Sequence, residues 1–103
     1  MGEAELLDNV SMRILAASSV GPVSASEIAE RTGVSSSTLY RRLPYLVQVG
    51  ALRETSALDG KNNHYYEYEV ALSCFTVIFD DGEAVISVEY DDGRTRQWTY
   101  GAD

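Results

Sequence analysis

Two short helical patterns separated by a glycine constrain this chain more than any other feature of its sequence. Ile28 and Ala29 supply the apolar side of the first pattern, and Leu39 and Leu43 begin a leucine repeat in the second. Thr32-Gly33-Val34 lies between them, and glycine suits a tight turn because it reaches positive φ without strain. Two helices joined by a short turn that contains glycine form a helix-turn-helix, which this stretch therefore predicts.

Capping residues indicate where the predicted helices begin and end. Ser24 to Glu27 fits a capping box, in which a serine oxygen and a glutamate carboxylate satisfy free backbone amides. Ser35 is a suitable N-cap for the next helix, and Gly50 is a suitable end. An earlier helix that ends at Gly21-Pro22 is predicted from the spacing of apolar residues, and its start is left open because Asp8 or Asn9 offers a cap for a later beginning. The apolar residues of this pattern are Leu6, Leu7, Val10, Ile14, Leu15 and Ala17.

Beyond Gly50 the pattern changes from helical to extended. Residues 52–58 and 65–72 predict two strands around a polar tip, and Asp81-Gly82 and Asp92-Gly93 predict two further hairpin turns. The predicted fold class is α+β: a winged helix-turn-helix, with three helices and a wing hairpin, followed by a three-stranded antiparallel β meander. We expect residues 1–72 to form the first domain and residues 73–103 the second.

The third helix has an exposed face that suits a DNA major groove. With the leucines defining the buried direction, Ser37 and Arg41 point directly outward on a helical wheel of about 100° per residue. Small hydroxyls permit close approach, and an arginine reaches guanine or phosphate. The candidate recognition residues are Ser36, Ser37, Thr38, Tyr40, Arg41 and Arg42. Taken singly, these serines suit a helix cap and Arg41 an ordinary surface charge; Arg42 suits a phosphate or a carboxylate such as Glu30 equally.

Pro44 is expected to kink the third helix after Leu43 or to end its first segment there, because proline removes a helical hydrogen bond.

The tip of the predicted wing hairpin is rich in hydrogen-bond donors that suit a phosphate strand or a minor groove, although an ordinary polar turn is an equal alternative. The candidate residues are Lys61, Asn62, Asn63 and His64, with Arg53 from the first strand.

The charge distribution matters more than the net charge of −8. From Arg31 to Lys61 five basic residues stand against two acidic ones, a balance of +3, and the acidic excess lies elsewhere. An acid-rich chain with a single lysine has the composition of proteins that work at high salt, where charge repulsion is screened. We interpret the acidity as an adaptation to solvent.

Composition also narrows the function classes. One cysteine, Cys74, and one histidine, His64, leave no ligand set for a metal centre, so no cofactor is predicted and Cys74 is expected to be an inert core thiol. Paired carboxylates, a nucleophile–base arrangement and a phosphate loop are missing from the sequence, which argues against an enzyme. No apolar run approaches the about 20 residues that span a bilayer, so we expect a soluble, cytoplasmic protein without membrane contact.

The segment from Ser24 to Leu72 resembles winged helix-turn-helix regulators of the ArsR, MarR and TrmB-like groups, and the acidic composition resembles their haloarchaeal members. The resemblance implies a dimer with the third helix in the major groove. The paired cysteines of metal-sensing ArsR members are missing, so metal sensing is not implied. The long dimerisation helix of many such regulators is missing as well.

The C-terminal meander is the candidate replacement for that helix. With two-residue turns, Phe79 pairs with Ala84, and Glu89 with Arg96, which leaves both sheet faces partly apolar. The predicted dimer interface is Ile78, Val85, Trp98 and Tyr100, unless both faces pack within one chain. A shift of one residue in register would exchange the faces. A minority interpretation places a ligand pocket at Tyr65, Tyr66, Tyr68, Tyr90 and Tyr100.

Together these features predict a sequence-specific, double-stranded DNA-binding transcription regulator that acts as a homodimer. The alternative is a protein-interaction module whose acidic β tail docks a basic partner. The sequence does not indicate an effector, a target site, or whether the regulator activates or represses.

Overall fold

The computed structural model describes residues 8–102 and divides into two compact units, one ending at Val70 and the other beginning at Ala71. The predicted domain boundary lay two residues later. Leu72 begins the first strand of the second unit instead of ending the hairpin of the first, which accounts for the difference.

Three helices form the core of the first unit: α1 (Asn9–Ala17), α2 (Ala25–Thr32) and α3 (Ser36–Gln48). Asp8 caps α1 by accepting from the Ser11 amide at 2.8 Å, and Ser24 and Glu27 form the predicted capping box of α2. Ser35 caps α3 as predicted. Leu6 and Leu7 of the first helical pattern lie outside the described residues, and α1 ends at Ala17, before Gly21.

Pro44 lies inside α3, which runs unbroken to Gln48, so the expectation that the helix segment ends at Leu43 is wrong. A helical proline costs about 3 kcal/mol because one hydrogen bond is lost and its ring crowds the preceding turn. Leu43 and Leu46, on either side of it, are 2% and 0% exposed. Burial of each leucine stabilises by about 1.5–3 kcal/mol, which outweighs that cost.

The first unit also contains an antiparallel sheet of three strands: β1 (Val23–Ser24), β2 (Leu52–Leu58) and β3 (His64–Val70), in the order β1-β3-β2. The β2-β3 hairpin pairs Leu52 with Val70 and Leu58 with His64. β1 was not predicted, because two residues are too few to show an alternating pattern. The leucines of α3 pack in the core with Ile14 and Ile28, which are both fully buried.

The second unit is a meander of β4 (Leu72–Asp80), β5 (Glu83–Tyr90) and β6 (Thr95–Gly101), with β5 in the middle. Asp81 and Gly82 have φ angles of 49° and 79°, as a two-residue type I′ turn requires. The first hairpin therefore has the predicted register, in which Phe79 pairs with Ala84.

The second turn has one residue more than predicted, and this changes the faces of the sheet. The Tyr90 amide donates to the Arg94 carbonyl at 2.8 Å across a three-residue loop, in which Gly93 has a φ of 91°. Glu89 consequently pairs with Thr95 and not with Arg96.

This register overturns the predicted dimer interface as a single surface. Trp98 lies opposite Ile86, and Tyr100 lies opposite Ala84. Because side chains alternate along a strand, a shift of one residue exchanges the two faces. Trp98 and Tyr100 therefore share the face of Val77 and Phe79, whereas Ile78 and Val85 lie on the other.

The longest described helix, α3, has 13 residues, and no helix within residues 8–102 combines the length and apolar character needed to cross a membrane.

The Gly33→Ala substitution tests the turn between α2 and α3. Gly33 has a φ of 74°, where a Cβ costs about 1–2 kcal/mol, and the free energy of unfolding is expected to fall by that amount. Gly60→Ala is the matched control, since Gly60 has open space around its Cβ position and a change within about 0.5 kcal/mol is expected. Urea denaturation measures the free energy of unfolding of both variants. Equal losses would contradict a left-handed conformation at Gly33.

Candidate nucleic-acid interface

The side of α3 opposite its leucines is open to solvent. Leu39 is 1% exposed, whereas the Tyr40 side chain beside it is 70% exposed. Ser36, Ser37 and Arg41 are also exposed, and Thr38 is half-buried. The structure thus brings the predicted residues from Ser36 to Arg41 to the outer surface of one helix.

Hydroxyl groups surround the first turn of α3. The Ser35 hydroxyl accepts from the Thr38 amide at 3.3 Å and donates to the Thr38 hydroxyl at 3.0 Å. The Ser37 hydroxyl lies 3.4 Å from that of Ser35. The amides of Ser36 and Ser37 precede the first intrahelical hydrogen bonds, so this end of the helix presents small donors and a partial positive charge.

Arg41 differs from neighbouring arginines in its pairing. Within residues 8–102 its exposed guanidinium has no carboxylate at ion-pair distance. Arg31 pairs with Glu27 at 3.6 Å, and Arg53 pairs across the hairpin with Glu69 at 3.2 Å. The charge of Arg41 is therefore available to a ligand.

Arg42 has an intradomain role. Its Nη1 forms an ion pair with the Asp8 carboxylate and donates to the Ser11 hydroxyl at 3.2 Å, and its side chain is only 16% exposed. Of the two alternatives for Arg42, a phosphate or a carboxylate, the structure shows a carboxylate, and it belongs to Asp8 and not to Glu30. Because its guanidinium is engaged and largely buried, we remove Arg42 from the candidate DNA surface.

Asp8 therefore links two helices, since it caps α1 and binds the guanidinium on α3. Burial alone would raise the pKa of Asp8. Hydrogen bonds from the Ser11 amide and from Arg42 outweigh burial and hold the pKa below its ordinary value of 3.8.

Asp59 organises the tip of the β2-β3 hairpin. Its carboxylate accepts from the amides of Asn63 at 3.0 Å and Lys61 at 2.7 Å, and these bonds lower the pKa of Asp59. The Asn63 side-chain amide donates to the same carboxylate at 3.3 Å. Lys61, Asn62 and His64 are exposed, so the tip presents one lysine on a loop that the Asp59 carboxylate holds in place by hydrogen bonds.

A groove of about 280 Å³ lies beside α3, and sequence reasoning did not predict that Tyr40 and the start of α2 contribute to it. Its wall contains Tyr40 from α3, and its other lining residues are Ser24, Ala25, Ser26, Tyr65, Tyr66 and Tyr68. Burial and a hydrogen bond to the Glu54 carboxylate raise the pKa of Tyr68 to about 12, so its hydroxyl stays protonated. Tyr65, Tyr66 and Tyr68 of the predicted tyrosine pocket line this groove, whereas Tyr90 and Tyr100 belong to the second unit.

Cys74 is exposed, which contradicts the expectation of a core thiol; it lies on β4, an edge strand of its sheet. Among residues 8–102 no group of three or more histidine, cysteine or acidic side chains is placed to hold a metal ion.

Residues 6–55 match the model of a family described as a helix-turn-helix domain. The matched residues include all three helices and end within β2, so this part of the chain is similar to that helix-turn-helix family. No curated protein and no solved structure matches the chain.

Asp8→Asn tests the link between α1 and α3. Asparagine caps helices as well as aspartate, so the substitution retains the cap and removes the charge opposite Arg42. We expect the free energy of unfolding at pH 7 to fall by about 1–3 kcal/mol, between the values for exposed and buried ion pairs. Thermal or urea denaturation monitored by circular dichroism measures the loss.

The pH dependence provides the control. A pKa that is lower in the folded state stabilises above the unfolded-state value of 3.8, and this contribution is lost as the pH falls through the folded pKa. The difference between wild type and Asp8→Asn should therefore be full at pH 7 and shrink below about pH 4. A difference that stays constant to pH 2 would contradict the ion pair.

Proposed function

We propose that this chain is a sequence-specific, double-stranded DNA-binding regulator of transcription that acts as a cytoplasmic homodimer, by binding and not by catalysis. The observation that carries the proposal is the outer face of α3 in a helix-turn-helix domain. There Arg41, which has no carboxylate at ion-pair distance among residues 8–102, follows a hydroxyl-rich first turn.

In the proposed complex α3 lies in the major groove with its first two turns against the bases. At 13 residues it is about 20 Å long, and a major groove about 12 Å wide admits a helix. Arg41 donates to a guanine edge, and Ser36, Ser37, Thr38 and Tyr40 approach bases or sugars. Two copies would read half-sites about one helical turn apart.

The β2-β3 hairpin acts as the wing in this proposal. Lys61, with the donors of Asn62 and His64, contacts the phosphate backbone and contributes affinity without reading sequence. Asn63 is less available because its amide already donates to Asp59. Arg53 contributes less charge than predicted because Glu69 pairs with it.

We further propose that the chain is a regulator of the ArsR, MarR and TrmB-like type that is adapted to high salt. The supporting observations are the net charge of −8 with a single lysine, and the position of the acids outside the α3 face. High ionic strength screens the repulsion between such a chain and DNA.

A second function is favoured by a different surface. Asp80, Asp81 and Glu83 are exposed at the end of the β4-β5 hairpin, beside a Phe79 side chain that is 80% exposed. An acidic turn with an aromatic neighbour suits a basic protein partner, so the alternative is an interaction module that docks such a partner.

Selection from a fragmented genomic duplex library at molar KCl separates these functions. Wild type and Arg41→Ala are run side by side, and enriched fragments are sequenced. Enrichment of a two-fold symmetric sequence by wild type alone supports the dimeric regulator. No enrichment by folded wild type would overturn it and favour the interaction module.

Arg41→Ala is expected to weaken binding to the selected duplex by about 5- to 150-fold, equivalent to the about 1–3 kcal/mol of a guanine contact. Arg94→Ala removes the same charge from the second unit, where Arg94 pairs with Asp92, and should change the affinity little. Fluorescence anisotropy measures both variants. Wild-type affinity in Arg41→Ala would exclude the assigned recognition face.

Lys61→Ala tests the wing. Loss of one phosphate contact should weaken binding to all duplexes alike and lower the slope of log K against log salt by about one. The sequence preference should stay that of wild type, in contrast to Arg41→Ala. An unchanged salt slope would show that the tip does not reach the backbone.

A further inference from the structure

The two edges of the C-terminal sheet are protected differently. β4 and β6 are both edge strands, and edge strands in proteins are commonly protected by charge, proline or a covering segment. β6 contains Arg96, and Arg94 lies immediately before the strand, at the end of the β5-β6 turn. The run from Leu72 to Phe79 on β4 contains no charged residue, no proline and no glycine, and its pairing with β5 is irregular only between Leu72 and Cys74, at the start of the strand.

The side chains of β4 are also uncovered on both faces. Val77 is 39% exposed, Ile78 is 56% exposed and Phe79 is 80% exposed. Because consecutive residues of a strand point to opposite faces, this triplet exposes apolar surface above and below the sheet. A partner that packed on one face of the sheet would leave the apolar residues of the other face exposed. A strand added at the edge would instead place its side chains beside those of β4 on both faces.

The backbone at this edge has unused hydrogen-bonding capacity. The Tyr90 amide bonds to Arg94 and the Ala102 amide to Gly82, so even-numbered residues of β5 point towards β6 and odd-numbered ones towards β4. With Ile78 opposite Val85, the even residues of β4 from Cys74 to Asp80 bond to β5. The amides and carbonyls of Phe75, Val77 and Phe79 therefore point to the open edge.

We propose that β4 pairs with β4 of a second copy of this chain, antiparallel about a two-fold axis at Thr76, the middle residue of the strand. The result is a continuous six-stranded sheet in which the two edge backbones satisfy each other. This inference names the interface of the dimer proposed above, and it does not depend on DNA binding.

The charge distribution selects a second copy in antiparallel orientation. Pairing about Thr76 aligns the uncharged runs of both copies and places Asp80 of each opposite Leu72 of the other. The acidic turns then lie at opposite ends of the new pair. Parallel pairing would bring Asp80, Asp81 and Glu83 beside their counterparts, where like charges repel. The chain has a net charge of −8, and the uncharged run from Leu72 to Phe79 allows two copies to pair without placing acidic side chains opposite each other.

Val77→Pro tests the edge with Thr99→Pro as its matched control. Both substitutions remove an amide that points outward from an edge strand, so neither removes a hydrogen bond within the sheet. Sedimentation velocity of the full chain at molar KCl, without DNA, gives the oligomeric state. We expect dimers for wild type and Thr99→Pro, and at least about a 100-fold higher dimer dissociation constant for Val77→Pro. Circular dichroism checks that each variant is folded.

A disulfide across the axis provides a second test. In a Cys74→Ser background, Thr76→Cys places two thiols in a non-hydrogen-bonded pair, where Cα atoms lie about 4.5 Å apart and a disulfide is possible. Oxidation should yield a covalent dimer, whereas Thr99→Cys in the same background should not.

The outcomes separate this inference from the proposed function. Dimers that persist in folded Val77→Pro, or no crosslink at position 76, overturn the β4 interface and leave the dimer standing. A monomeric wild type overturns both the interface and the dimeric state. A monomer that forms a complex with a lysine-rich peptide instead assigns this end of the sheet to a basic partner. The Arg41→Ala binding result decides DNA recognition in every case.

Discussion

Burial of the leucine side of α3 is the constraint on which the rest of the first unit depends. Leu39, Leu43 and Leu46 are all at most 2% exposed, and together they fix the rotation of the helix about its axis. With that rotation set, Arg41 faces solvent and its neighbour in sequence lies against α1, where Asp8 meets it. Adjacent arginines thus have different roles because consecutive residues are about 100° apart on a helix.

The features predicted correctly from sequence are those encoded within a few residues. The capping box at Ser24, the N-cap at Ser35 and the type I′ turn at Asp81-Gly82 each depend on groups no more than about four residues apart. The outer face of α3 followed from its leucine spacing in the same way. These local signals sufficed for the class of the fold and for most of the candidate site.

The features that sequence reasoning missed depend on distant residues or on small differences in turn geometry. Asp8 and Arg42 are 34 residues apart, and no local pattern relates them. Both turns contain an Asp-Gly pair, but the second has a three-residue loop that also includes Asp91 and is closed by the hydrogen bond between Tyr90 and Arg94. The extra residue moves Trp98 to the other face of the sheet. The tyrosine groove combines residues from three separate segments, so only the folded chain assembles it.

Pro44 has a further consequence for the proposed contact between α3 and DNA. Because proline has no amide hydrogen, the Tyr40 carbonyl lacks the donor that residue 44 of a helix would normally supply. A phosphate group offers only acceptors, so it gains nothing from approaching a carbonyl in that position. The helix therefore presents amide donors on its first turn and an acceptor, the Tyr40 carbonyl, on the turn before Pro44. In the proposed complex, the proline marks the end of the surface that would face DNA.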